Sequence, residues 1–137
     1  MQPASPARLY ATAVGAVLTI AGIIGFFYSS SFGSPGTVDE IFGAFAVNGW
    51  HNVLHLVTGL LGLAAAGYLA RTYALAVGLL YVVLAIWGFI VGGGDAILSI
   101  IPVNAEDNVV HLIIGVFGLA AGAASPAAAG SKRPAPA

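Results

Sequence analysis

The 137-residue chain contains no cysteine and very little charge. Without cysteine it has no disulfides, thiolate metal sites, iron–sulfur clusters or cysteine nucleophiles. Charged residues make up 7% of the chain, whereas soluble domains need about 25% to cover their surface. The net charge of −1 also leaves no basic surface of the kind that binds nucleic acid. The sequence therefore excludes several classes of site and disfavours a water-soluble fold.

Apolar residues dominate instead, at 59% of the chain. A helix needs about 20 mostly apolar residues to cross a bilayer. Four segments approach that length, at Leu9–Tyr28, Trp50–Ala70, Thr72–Val91 and Asp107–Ala124. Polar and apolar residues do not alternate with period two, so a membrane barrel is disfavoured. We therefore predict a multi-pass protein of the cell membrane with four transmembrane helices.

The charges predict how these spans are oriented. The four basic residues lie before the first span, between the second and third, and after the fourth, at Arg8, Arg71, Lys132 and Arg133. The acidic residues lie in or beside the other two connections. By the positive-inside rule, both termini are then cytoplasmic and the acidic connections face outward. Residues 1–7 and the Pro- and Ala-rich tail, residues 125–137, are expected to be disordered.

The sequence also repeats itself. Residues 8–26 align with residues 71–89 at an offset of 63, with 9 of 19 positions identical, and residues 39–67 align with residues 95–123 at an offset of 56, with 13 of 29 identical. The predicted units are therefore 8–70 and 71–124, each with two spans in the same orientation. Parallel repeats imply a pseudo-twofold axis along the membrane normal. The predicted fold is an all-α, four-helix transmembrane bundle made of two tandem two-helix repeats.

A short amphipathic piece precedes the last span of each unit. Thr37 and Glu40 have the spacing of a capping box and open the apolar residues 41–45. In the second unit Asp95 could cap residues 97–101, which Pro102 closes. Both pieces predict short helices on the outer membrane surface, with an irregular apolar loop as the alternative. The tryptophans and tyrosines, mostly near span ends, are expected to be interfacial anchors.

The polar residues that follow form the same pattern in both units. Asn48 and Asn104 are predicted to cap the second and fourth spans. Each is followed by an Asn, a His and two Gly residues that share one helical face, namely Asn52, His55, Gly59 and Gly62 in the first unit and Asn108, His111, Gly115 and Gly118 in the second. Because small residues mark close helix packing in membranes, the stripes should face the bundle interior, in its outer half.

Several interpretations of these stripes remain open. Asn52, His55, Asn108 and His111 could form a polar layer that hydrogen-bonds across the pseudo-twofold axis and fixes helix register. Alternatively, they could belong to a ligand site. A divalent metal could bind histidine and carboxylate ligands, drawn from His51, His55, Asp107 and His111. Haem could instead be held between His55 and His111, and a pH-sensing role would use the titration of histidine.

The repeated pattern resembles the bacterial four-span membrane proteins of the family called domain of unknown function 4383. The residues that carry this resemblance are Val47-Asn48, His51-Asn52, His55, Gly59 and Gly62 to Ala65, with Val103-Asn104, Asp107-Asn108, His111, Gly115 and Gly118 to Ala121 in the second unit. The resemblance covers residues 8–124 and implies the four-span fold. It brings no activity, substrate or catalytic residue with it.

The sequence thus predicts a non-enzymatic structural or interaction subunit, embedded in the bilayer and packing with its own copies or within a larger membrane complex. The alternative is a metal- or haem-binding membrane protein that uses His55 and His111. A third hypothesis is a small-molecule or proton-linked transporter, although no Asp, Glu, Lys or Arg lies mid-span as an ion pathway would require.

Overall fold

The computed structural model describes residues 4–33, 38–92 and 95–126 of the chain. Within these ranges it is the all-α bundle of four helices that the sequence predicts: α1 (Pro6–Tyr28), α2 (Gly49–Ala65), α3 (Ala70–Val91) and α4 (Ala105–Ala123). Two short antiparallel hairpins lie between the paired helices. Hairpin 1 is formed by β1 (Asp39–Ile41) and β2 (Phe45–Val47), and hairpin 2 by β3 (Ala96–Ile97) and β4 (Ile101–Pro102).

Three of the helices have the length and composition to cross a membrane. These are α1, α3 and α4, with mean hydropathies of 2.0, 2.6 and 1.2. They expose large apolar side chains such as Phe27, Ile90 and Phe117, which a soluble monomer rarely presents in such number. These features indicate a membrane protein. Helix α2 has 17 residues and ends at Ala65 rather than continuing to residue 70, because residues 66–69 form a turn before α3.

Helices pack most closely within the pairs α1–α2 and α3–α4, and glycine makes this possible. A β-carbon added to Gly15 would lie 2.8 Å from the backbone nitrogen of Leu63. In the other pair, one added to Gly78 would lie 2.7 Å from the backbone nitrogen of Leu119. Both distances are too short for any side chain, so the two backbones are in direct contact. Such contact is the usual way in which membrane helices associate.

Two tyrosines connect one helix pair to the other. The Tyr10 hydroxyl donates to the Ile114 carbonyl on α4, and the Tyr73 hydroxyl donates to the Thr58 carbonyl on α2, both at 2.9 Å. Their rings lie 6.2 Å apart within the main apolar core. The expectation that these tyrosines are interfacial anchors is therefore wrong, because each is buried and its hydroxyl donates a hydrogen bond to a helix of the opposite pair.

The segments before α2 and α4 are hairpins, which corrects the prediction of short helices. Phe42 and Gly43 have φ of 54° and 68°, and Leu98 and Ser99 have φ of 53° and 58°. Two consecutive left-handed residues are what a type I′ turn requires, and that turn closes two-stranded hairpins. The proposed cap at Thr37 lies outside the described residues. A helix of one or two turns is marginal by itself, whereas a hairpin satisfies its own backbone groups.

The contact at Gly15 predicts a loss of stability on enlargement. Gly15→Ala should lower the free energy of unfolding by about 1–3 kcal/mol, because the added methyl group meets the backbone of α2 rather than a movable side chain. The matched control is Gly67→Ala, since a β-carbon there meets nothing within 4 Å. Thermal unfolding in detergent measures both variants. Equal stability of the two would contradict the contact between backbones.

Candidate functional site

Asn48 and Asn104 cap the beginnings of α2 and α4, and each also bonds to the hairpin of the other unit. Asn48 Oδ1 accepts from the backbone nitrogen of His51 at 2.9 Å, and Asn104 Oδ1 accepts from that of Asp107 at 3.0 Å. Each amide nitrogen then donates at 2.6 Å to the turn of the other unit's hairpin, Asn48 to the Ile100 carbonyl and Asn104 to the Ala44 carbonyl. Each N-cap therefore fixes both its own helix and the opposite hairpin.

Asp107 reinforces this arrangement on one side. Its Oδ2 accepts from the backbone nitrogen of Asn104 at 3.2 Å, which completes a capping box, and from that of Ala46 at 2.9 Å. The side chain is almost fully buried. The carboxylate thus ties the start of α4 to β2 of hairpin 1. His51 occupies the corresponding position of α2 at the offset of 56, so one unit carries an acid where the other carries an imidazole.

These caps bring all three histidines of the chain together. Each of His51, His55 and His111 has a ring nitrogen within 4.8 Å of those of the other two. The ring centroids are 4.5 Å apart for His51 and His55, 5.6 Å for His51 and His111, and 6.0 Å for His55 and His111. We call this group the histidine cluster. It lies among α2, α4 and the two hairpins, inside the protein.

Most nitrogen atoms of the histidine cluster are buried and have no hydrogen-bond partner among the residues that the structure describes. They are both ring nitrogens of His51, both of His55, and Nδ1 of His111. The carbonyl groups of Ala46 and Pro102 face the His51 ring without meeting hydrogen-bond geometry with it. A buried polar group left unpaired costs about 1–3 kcal/mol. Five such atoms in one place are far more than a native fold leaves without a reason.

Tyr81, which the sequence predicted to be an interfacial anchor, is instead buried beside the cluster. The Tyr81 ring lies edge-on to the His111 ring, with centroids 5.2 Å apart, and the side chain is completely buried. Its hydroxyl shares a 3.1 Å hydrogen bond with Thr58 Oγ1. The offset of 63 places Leu18 at the corresponding position of the first unit. This difference between two aligned segments is the feature by which the sequence could have indicated Tyr81 as a residue of the site.

Asn52 and Asn108 do not join the histidines in a layer, which differs from the expected hydrogen bonding across the axis. Asn52 Nδ2 donates to the Ser29 carbonyl at the end of α1, at 2.8 Å. The Oδ1 atoms of Asn52 and Asn108 lie against Gly25 and Gly88 and, among the described residues, have no hydrogen-bond partner. The asparagines therefore lock each helix to its own pair, because the glycines leave room for them there.

The cluster fits a metal ion better than a haem. Ligand nitrogens around a tetrahedral ion at 2.0–2.1 Å lie about 3.3 Å apart, so imidazoles already within 4.8 Å need only small rotations. Asp107 is not in the group, and its Oδ2 accepts from two backbone nitrogens. A haem between His55 and His111 would need the space that the His51 ring occupies next to both.

Comparison with known proteins yields one match. A family model described as a domain of unknown function, DUF4383, matches residues 8–124, which include every residue of the histidine cluster and both asparagine caps. No curated protein and no solved structure matches the chain.

The buried carboxylate of Asp107 generates a stability prediction. Asp107→Ala should lower the free energy of unfolding by about 1–3 kcal/mol, because it leaves the Ala46 and Asn104 backbone nitrogens unpaired inside the protein. Glu106→Ala, one residue earlier and exposed, is the control and should cost about 0.5 kcal/mol or less. Chemical unfolding in mixed micelles compares them. If Glu106→Ala proved as costly, net charge rather than the clamp would be responsible.

Proposed function

Because this chain belongs to the family of the domain of unknown function DUF4383, whose description names no activity, we propose a function from the site itself. The protein is a membrane protein that binds one divalent transition-metal ion through His51, His55 and His111. The observation that carries this proposal is the convergence of all three histidines with five buried, unpaired ring nitrogens. A bound ion takes one lone pair from each imidazole, so it gives partners to three ring nitrogens and leaves the second nitrogen of each ring as an N–H donor.

The ligand chemistry supports a borderline ion such as zinc, copper or nickel. Neutral imidazole suits these ions, whereas magnesium and calcium prefer oxygen ligands. Three protein nitrogens with a fourth position left open is also the ligand set of catalytic rather than structural zinc sites. The carbonyls of Ala46 and Pro102, which face the His51 ring, are placed to accept the N–H of the nitrogen that does not bind the ion. Such a hydrogen bond fixes the orientation of a metal-bound imidazole.

The proposed membrane arrangement has four spans with both termini in the cytoplasm. Helix α2 is about 25 Å long at 1.5 Å per residue, close to the hydrocarbon thickness of about 30 Å. Trp50 and Tyr68 are exposed at its two ends, as interfacial aromatic residues are. The hairpins then lie on the outer side, and the histidine cluster lies one to two turns below them, where an ion would arrive from outside.

Metal titration tests the site. Wild-type protein purified in detergent and stripped with a chelator should bind one equivalent of Zn²⁺ or Co²⁺, with cobalt giving the visible absorption of a nitrogen-ligated ion. His55→Ala or His111→Ala should weaken binding by more than the roughly 10–100-fold that follows the loss of a group hydrogen-bonded to a metal ligand. Tyr81→Phe is the control, because it keeps the ring next to His111 and removes only a hydroxyl that bonds to Thr58.

The competing hypothesis is a structural or interaction subunit in which the polar residues serve packing alone. The bond from Asn52 to the Ser29 carbonyl favours it, since that contact only joins α1 to α2. It predicts a metal-free protein and equal, weak metal uptake by the wild type and by the His55→Ala, His111→Ala double variant. That result would overturn the metal proposal. No residue is assigned a catalytic role under either hypothesis.

The absence of cysteine allows a direct test of the proposed topology. Single cysteines at Ala4, Glu40 and Gly67 should differ in their reaction with a membrane-impermeant maleimide on intact cells. Glu40→Cys should be labelled at once, since hairpin 1 faces outward. Ala4→Cys and Gly67→Cys should react only after the membrane is permeabilised. Labelling of positions 40 and 67 from the same side would rule out a crossing by α2.

A further inference from the structure

A pocket of about 360 Å³ opens between α1 and α4, beneath hairpin 1. Its size lies within the usual range of small-molecule sites. The walls are apolar, and the inner end is formed by His55, His111 and Asp107. Asp107 Oδ2 is engaged by the Ala46 and Asn104 backbone nitrogens, and no polar surface of the side chain lines the pocket. The pocket therefore offers a ligand only carbon surfaces.

The pocket exists because a small residue replaces a large one. Leu84 of α3 is buried and fills the corresponding space in the second unit, where it packs in a cluster with Ile97, Val103 and Leu54. The offset of 63 places Ala21 at the position of Leu84. The counterparts of the other three cluster members, Ile41, Val47 and Val110, line the pocket. Ala21 thus leaves empty the volume that Leu84 occupies in the other unit.

Two further differences enlarge the same space. Leu18 stands where the second unit has the fully buried Tyr81, and Ile24 stands where it has Trp87. Both Leu18 and Ile24 line the pocket. All three substitutions make the first unit smaller at this wall. A gap of similar volume in the second unit is lined by Val83, Ile86, Trp87 and Ile90, and neither Leu84 nor a histidine lines it.

The mouth of the pocket is continuous with the apolar outer surface of the helices. Val17 and Ile20 of α1 and Val110 of α4 line the pocket and are also exposed. In a membrane protein this surface meets the hydrocarbon of the bilayer, where water is absent. A ligand entering here comes from the lipid phase. We propose that the pocket binds one hydrocarbon chain of a bilayer phospholipid, with the chain lying against His55 and His111.

This proposal concerns the pocket alone and does not require a metal ion in the histidine cluster. A bound chain would cover the side of the cluster that faces the lipid, leaving the hairpin side as the approach for an ion. An apolar chain suits the site because it buries carbon surface without bringing polar groups that the walls could not pair. A polar ligand would lose its hydrogen bonds on entering.

Photolabelling tests the proposal in phosphatidylcholine vesicles that contain a small fraction of phosphatidylcholine with a diazirine on one acyl chain. After irradiation, digestion and mass spectrometry locate the labelled residues. In the wild type, labelling at Leu18, Ile24 and Ile114 should exceed labelling at the exposed Phe117 severalfold. Ala21→Leu, which copies the second unit, should reduce the pocket labelling to the level of Phe117, because the leucine side chain takes the chain's place.

Two further variants keep the test decisive. Ala13→Leu makes the same substitution on an exposed position of α1 outside the pocket and should leave the labelling pattern unchanged. Ile24→Trp copies Trp87 and should block the pocket if Ala21→Leu does not fold. Labelling of Leu18, Ile24 and Ile114 at the level of Phe117 in the wild type, or undiminished labelling in a folded blocking variant, would overturn the proposal. Metal titration of the same samples shows separately whether the histidine cluster binds an ion.

Discussion

Two reciprocal hydrogen bonds, from the Asn48 amide to hairpin 2 and from the Asn104 amide to hairpin 1, are the constraint on which the hairpin end of the molecule depends. In each amide, the oxygen accepts a hydrogen bond from the first turn of its own helix, and the nitrogen donates one to the hairpin of the other unit. Each helix start is therefore fixed relative to the opposite unit as well as its own. Tyr10 and Tyr73 make a second reciprocal exchange deeper in the bundle. Because the asparagine bonds and the tyrosine bonds both hold the two helix pairs together, the histidines on α2 and α4 lie next to each other.

The histidine cluster contrasts with this framework, in which most polar groups have partners. Side chains cap α1, α2 and α4, Asp107 Oδ2 accepts from two backbone nitrogens, and three tyrosine hydroxyls are hydrogen-bonded. Five buried imidazole nitrogens, in contrast, have no partner in the part of the chain that the structure describes. Natural proteins break local rules mainly where function requires it. Under the proposed function, a bound metal ion supplies a partner for one nitrogen of each of the three rings. The sequence also predicted Asn52 and Asn108 as ligand candidates. They lie instead against Gly25 and Gly88, each within its own helix pair.

Three aligned positions near the histidine cluster carry different residues in the two units. His51 corresponds to Asp107, Tyr81 to Leu18, and Leu84 to Ala21. The first difference gives three imidazoles rather than four, with a carboxylate committed to the backbone. At the other two positions, the large Tyr81 and Leu84 fill the space beside α3, whereas the smaller Leu18 and Ala21 leave the pocket open beside α1. The two helix pairs therefore differ at the centre of the bundle, where the histidine cluster and the pocket between α1 and α4 lie next to each other.

The sequence by itself determined the number and type of helices, their apolar character and the two asparagine caps, because each depends on composition or on spacing within one segment. It also indicated His55 and His111 as interior residues. Tertiary structure alone decided that residues 39–47 and 96–102 form hairpins, that Asn52 and Asn108 turn away from the histidines, and that Tyr81 and Ala21 border the site. These outcomes depend on which surfaces meet across the bundle, and contacts between residues far apart in the chain leave no periodic signal in one sequence.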